Sequence, residues 1–265
     1  MIDQSPSSSR EWNSAAYHRL SAPQVSWGKK VLARLRLRGD ELVLDAGCGT
    51  GRLTAELLEA LPGGKVVGID LSQNMLRDAS LHLRQFGNRV QLVACDFLHL
   101  PFEKVFDRIV SNAAFHWVTD YDRLFQNLRH ALVPGGWLEA QCGGGPNIQK
   151  LRERANHLAA AREFAPYFAG FQEPWRFQNA QEAADKLRRA GFLEVETSVE
   201  PAPTTLTDAA HYNEFVRNIV LREHLKHIDG DDRRNEFMDR LTELAAKDDP
   251  PFTLDYWRLN LRGRA

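Results

Sequence analysis

The chain has 265 residues, a net charge of -1, and 43% hydrophobic and 26% charged residues. That balance gives no overall field favouring nucleic acid or an anionic membrane. No apolar run approaches the ~18 residues of a membrane span, and the length suits one large α/β domain, with or without an insertion.

Met1 to Arg10 is polar and serine-rich and lacks the apolar stretch of a signal peptide, so a frayed tail and a cytoplasmic protein are expected. Trp12, Tyr17, Leu20 and Trp27 are large groups in a polar stretch, and Val25 to Leu37 has helical spacing. Two short N-terminal helices follow from that pattern. The apolar run Leu42-Val43-Leu44 then stops at Asp45, glycines stand at 47, 49 and 51, and Arg52 to Ala60 reads as a helix. This is a buried strand, a glycine turn and a helix N-terminus, whose free N–H groups face a ligand that glycine lets approach closely. A dinucleotide fingerprint would place its third glycine one residue later, where Arg52 stands. Asp45 suits an ammonium group, so a ligand with an amino-acid end and a nucleoside end fits better than a pyrophosphate.

Lys65 to Asp70 is the second strand, ending in an acid placed to accept from two ribose hydroxyls. Ser72 N-caps the next helix, with Met75 in its first turn. Val90 to Asp96 is the third strand, where Asp96 can accept from a base amino group and Phe97 can stack on the base. Phe106 to Asn112 is the fourth. It leads into Ala113-Ala114-Phe115-His116-Trp117, near the point where strand order reverses in a doubly wound sheet. A helix over 122–132 stops at Pro134-Gly135-Gly136, and Trp137 to Cys142 is the fifth strand. Beyond it, helices are expected over 148–164 and 178–190, a strand over 194–200, two helices over 207–247 and a last strand over 252–261. Cys48, Cys95 and Cys142 lie near strand ends without a Cys-x-x-Cys pair, which reads as reduced thiols and no metal site.

Asp-Ala-Gly-Cys-Gly-Thr-Gly, Gly-Ile-Asp-Leu-Ser, Asp96-Phe97, Ser-Asn-Ala-Ala-Phe-His-Trp and Val-Pro-Gly-Gly together resemble the class I S-adenosylmethionine (SAM) dependent methyltransferases. The pattern is most similar to the trans-aconitate methyltransferase-like small-molecule group, over about residues 12–142. The resemblance implies an α/β fold: a doubly wound, mostly parallel seven-stranded Rossmann-like sheet with an antiparallel last strand and helical cover over the cleft. It implies a cap over 1–40, a SAM-binding core over 41–142 and a substrate cover over 143–178 and 202–250. Residues 179–201 and 251–265 complete the core.

The implied cofactor is SAM, with S-adenosylhomocysteine (SAH) as product. Its expected contacts are Tyr17, Gln24, Asp45, Ala46, Gly47, Gly49, Gly51, Asp70, Leu71, Met75, Asp96, Phe97 and Asn112. Tyr17 and Gln24 are expected at the methionine end and Met75 against the adenine. The acceptor is expected to be a small molecule methylated on a carboxylate oxygen, in a pocket formed by His116, Trp117, Trp175 and Arg217. His116 would act as base or as donor to the carboxylate. C-, N- or hydroxyl O-methylation of a small or lipid-like molecule, or SAM binding without catalysis, are the alternatives. A nicotinamide dehydrogenase fits less well. No metal, nucleic acid or membrane is expected, and the chain is expected as a monomer or homodimer.

Overall fold

Two helices, α1 (Ser14–Leu20) and α2 (Ala22–Arg34), precede the first strand and bury Leu20, Trp27 and Val31. They belong to a computed structural model that describes residues 11–12 and 14–265. The expected tail at Met1–Arg10 lies outside the described residues. From Leu42, strands and helices alternate: β1 (Leu42–Ala46), α3 (Arg52–Ala60), β2 (Lys65–Asp70), α4 (Gln73–Leu83), β3 (Val90–Ala94), β4 (Phe106–Asn112), α5 (Tyr121–Ala131) and β5 (Leu132–Gly143). β1 pairs in parallel with both β2 and β4, so the strand order reverses at its tip.

The remaining elements are α6 (Gln149–Ala159), α7 (Ala180–Arg189), β6 (Leu193–Pro201), β7 (Thr204–Thr205), α8 (Ala209–Phe215), α9 (Arg222–Lys226), α10 (Asp231–Ala245), β8 (Thr253–Leu254) and β9 (Trp257–Arg264). β9 inserts antiparallel between β5 and β6, giving the order β3-β2-β1-β4-β5-β9-β6. This is the expected seven-stranded, mostly parallel sheet with an antiparallel last strand. β7 and β8 form a separate two-stranded ribbon.

Several boundaries differ from the sequence pattern for local reasons. β5 begins directly after α5, and the Pro134–Gly136 stretch loops out of register between the pairs Phe106–Leu132 and Arg108–Trp137. Pro134 has no N–H to pair, and Gly135 takes φ +82. The helix expected over 148–164 ends at Ala159. The two helices expected over 207–247 are α8, one π-helical turn at Val216–Val220, α9 and α10, broken at Leu221 (ψ 15) and at Gly230 (φ +79).

Among the described residues, apolar side chains form three cores. One face of the sheet packs Leu44, Ile69, Ile109 and Leu138 with Phe125 and Leu128 of α5, and the other packs Val43 and Val66 with Leu57 and Leu83. The third joins Leu20 and Trp27 to Leu151, Phe164, Phe215 and Phe237 of the later helical segments and to Tyr256. Fully burying a phenylalanine contributes about 1.5–3 kcal/mol, so this third core holds the cover against the N-terminal helices. Among the described residues no helix is long and apolar enough to cross a membrane.

Candidate active site

A cavity of about 370 Å³ opens beyond the tips of β1, β2 and β4. Gly47 and Gly49 line it where the chain turns from β1 towards α3. Gly47 has φ +87, and a Cβ there would lie 2.4 Å from the Cβ of Ala114, so only glycine lets the 113–114 loop come this near. Asp70, at the tip of β2, accepts the Gly49 N–H on Oδ2 (3.0 Å) and the Ser72 N–H on Oδ1 (2.9 Å). Desolvation pushes its pKa up, against the pull of those two N–H groups. Each oxygen keeps a further lone pair for a ligand hydroxyl. Leu71, Asp96 and Phe97 also line the cavity. Asp96 lies two residues past β3 and caps the turn Phe97–His99 through the Leu98 N–H (2.9 Å). Met75 lines it from the first turn of α4, which Ser72 caps as expected.

Three expected contacts lie below the floor. Asp45 is buried, its Oδ2 accepts the Thr54 hydroxyl (2.6 Å), and desolvation raises its pKa to about 7. The Ala46 carbonyl accepts the Ser111 hydroxyl (2.6 Å). Gly51 takes φ +80, with Leu83 2.8 Å from where its Cβ would be. None of the three lines the cavity, because Asp45 points against α3 and Gly51 serves helix–helix packing. The motif builds the turn and presents only its middle to the opening.

Gln24 lines the side clefts rather than the main cavity. Its Oε1 is buried with no hydrogen-bond partner among the described residues, and so is Oδ1 of Asn112, whose amide donates to the Gln24 carbonyl (2.8 Å). Both residues line a cleft between α2 and the glycine turn, which Tyr17 also borders. Unfilled buried acceptors in one cleft suit a ligand group rich in N–H donors.

A second pocket of about 50 Å³ adjoins the cavity, sharing Trp12, Tyr17, Ala113 and Trp117 with it. Ala113 holds φ +59 while its N–H reaches the Gln141 carbonyl (2.7 Å), a strained conformation at the bend. His116, Trp175 and Phe177 line the pocket. Desolvation, then the charge of Arg258, pushes the His116 pKa down to about 3, so the ring is neutral at pH 7. Its Nδ1 accepts the Gly143 N–H (3.3 Å), which leaves the ring proton on Nε2 as a donor.

Arg217 does not join this pocket. Its guanidinium reaches Asn235 (2.9 Å) and Asn213 (3.4 Å) in a separate hollow beside Asp239. The π-helical turn in which it lies instead presents Ile219 and Val220 to the pocket. Arg222, just past that turn, does reach the main cavity and lies 3.9 Å over the Trp12 ring.

Comparison with known proteins follows the same line. A family described as a methyltransferase domain matches residues 43–136. Trans-aconitate 2-methyltransferase of Deinococcus radiodurans is 30% identical over 233 residues, which are 83% of this chain and 85% of that protein. This chain belongs to the SAM-dependent methyltransferases. The methyltransferase is also 30% identical over 247 residues to trans-aconitate 2-methyltransferase of Methylobacterium radiotolerans, 91% of each chain. It is 32% identical to malonyl-[acyl-carrier protein] O-methyltransferase of Geobacter sulfurreducens, over 69% of this chain and 67% of that one. Phosphoethanolamine N-methyltransferase 2 of Haemonchus contortus, solved with SAM, shares the fold at TM-score 0.61 and 19% identity, covering 95% of this chain and 56% of that one. Geranyl diphosphate C-methyltransferase of Streptomyces coelicolor shares it at TM-score 0.54 and 17% identity, covering 94% of this chain and 82% of that one.

The site of the methyltransferase also contains residues outside the set of expected contacts. Trp12 and Arg222 roof the cavity, while Tyr256 and Arg258 close the smaller pocket. Alternation along β9 sets Arg258, Asn260 and Arg262 on one face. No local signal says which of them meets the site.

Proposed function

We propose that this methyltransferase methylates a carboxylate oxygen of a small organic acid. In that reading Asp70 takes the ribose hydroxyls, Asp96, Phe97 and Met75 take the adenine, and the free oxygens of Gln24 and Asn112 take the methionine ammonium. SAM when bound supplies a methyl group on a cationic sulfur. The protein positions the acceptor and excludes water.

One observation carries the choice of acceptor: the pocket beside Ala113 is lined by a neutral histidine, an arginine and aromatic rings and, among the described residues, by no carboxylate side chain. A carboxylate is already a nucleophile at neutral pH, so a donor to steady its second oxygen is enough and no base is required. The names of the curated relatives agree, since trans-aconitate and a malonyl thioester both carry carboxylates.

The test is incubation with methyl-labelled SAM and a panel of trans-aconitate, succinate, a malonyl thioester, a phenol and a primary amine. Label released as methanol by mild alkali is the expected outcome. Label in an alkali-stable product would assign the enzyme to another acceptor atom.

A further inference from the structure

Arg258 is 2% exposed, and its guanidinium lies 4.0 Å over the ring of Trp27. Its Nε and Nη2 are buried with no hydrogen-bond partner among the described residues. Among the described residues no carboxylate pairs with it. Glu200 stands opposite it in the strand register but reaches Lys30 instead (3.9 Å). The groups whose ionisation would balance its charge are Cys142, Tyr256 and Tyr17, and burial pushes all three upward, so they are neutral at pH 7. Desolvation lowers the guanidinium itself to about 10, which leaves it charged at neutrality.

A buried cation without an anion is among the most costly arrangements in a protein interior. Here the side chain borders the 50 Å³ pocket that also holds His116. One water requires about 10–15 Å³ of such volume, so the space takes a few waters or one carboxylate group.

We infer that Arg258 is the specificity-determining residue for the acceptor, pairing with its carboxylate while the His116 Nε2–H donates beside it. This rests on the acceptor being an acid, as proposed above. The methionine carboxylate of the cofactor is the other source of the same chemistry. Arg258 shares its pocket with Gln24 but lines neither the large cavity nor the cleft where Asn112 stands, and it lies in the pocket of His116, which favours the acceptor. Stacking on Trp27 fixes the plane of the fork, so a planar carboxylate is met with two parallel N–H bonds.

The experiment compares wild type with Arg258→Met and Arg258→Lys. SAH affinity is read by calorimetry, trans-aconitate and succinate are titrated into the SAH-loaded protein, and melting temperature is recorded. In Arg258→Met we expect unchanged SAH affinity, acid affinity lower by on the order of 100-fold, and a melting temperature equal or higher, since an apolar side chain of similar length replaces an unpaired charge. Arg258→Lys should recover part of the acid affinity. Equal acid affinity in Arg258→Met, no acid bound by the wild type, or a fall in melting temperature alone would each overturn the inference. A parallel loss of SAH affinity would overturn it too and reassign the guanidinium to the cofactor. Alkali-labile methyl transfer with the same KM in wild type and Arg258→Met sinks this inference and leaves the acid reading standing. Transfer to the phenol or amine sinks both.

Discussion

Both carboxylate oxygens of Asp70 accept a backbone N–H, so the residue ties the glycine turn to α4 as well as lining the cavity. Asp70→Asn keeps the shape but removes the charge and one acceptor. SAH binding should weaken by about 2–3 kcal/mol, the scale of a hydrogen bond to a charged group, with circular dichroism unchanged. Undiminished affinity in the calorimeter would remove the ribose assignment. His116 makes the opposite kind of statement. Its folded pKa of about 3 is below the ordinary 6.5 because the ring is desolvated next to Arg258. Between those values the unfolded chain takes up a proton that the folded ring refuses. The stability contributed by the neutral ring is therefore complete above pH 6.5 and lost as pH falls towards 3. As a neutral donor it should leave kcat/KM flat from about pH 5 to 8. An inflection near pH 6.5 that disappears in His116→Asn would make it a base instead. The two acids at the tips of β2 and β3 were legible because a strand end beside a glycine turn is a local pattern. The protonation state of His116 was not, since it depends first on burial by distant elements and then on an arginine 142 positions away in sequence.

At the level of single elements, the turn after β1 tolerates little change. Gly47→Ala combines a positive φ with a Cβ–Cβ approach of 2.4 Å. A loss of about 2–5 kcal/mol in denaturant unfolding is expected from left-handed strain plus overpacking. A loss below 1 kcal/mol would mean that the 113–114 loop moves freely aside. A second element effect joins the N-terminal segment to the cavity. The Glu11 carboxylate accepts the Gln73 N–H (3.0 Å), the Asn74 N–H (3.1 Å) and the Ser72 hydroxyl (3.0 Å) at the start of α4. Burial acts to raise its pKa, but the N–H groups of Asn74 and Gln73 outweigh this and hold it below the usual value. That capping is present above about pH 4.5 and is lost as pH falls through the lowered pKa. Arg222 donates to the Glu11 carbonyl and lies over Trp12, so α9 and the N-terminal segment meet at the same place. Glu11→Gln should speed amide exchange in α1 and shorten SAH residence time. Unchanged exchange in α1 would show that Trp12 and Tyr17 hold the N-terminal segment without the cap. The periodicities of α1 to α5 and β1 to β4 were readable because each repeats its own pattern. The π-helical turn was not: it inserts one residue into an otherwise helical run, so Arg217 turns away and Arg222 faces in.

For the whole molecule, the cavity is bounded by the sheet on one side and by the third apolar core on the other. A ligand filling it stabilises only the assembled chain. At 100 times its Kd, SAH should add about 2.7 kcal/mol, a rise of roughly 5–10 °C in melting temperature for a chain of this size. NADH at the same concentration should give no rise. The reverse result in thermal denaturation would place a pyridine dinucleotide in the crevice.

The amino-acid sequence by itself determined the parallel sheet, the glycine turn and the acids at two strand tips. Each of these is written within a single strand–turn–helix unit, where spacing along the chain is distance in space. Tertiary structure alone decided what lines the smaller pocket: residues 17, 27, 116 and 258 come from four separate elements. It also decided that Asp45 goes under the floor, because which side of a strand tip is covered depends on the helix packed there. The missing counter-charge of Arg258 belongs to the same class, since an absent partner is visible only once every neighbour is in place.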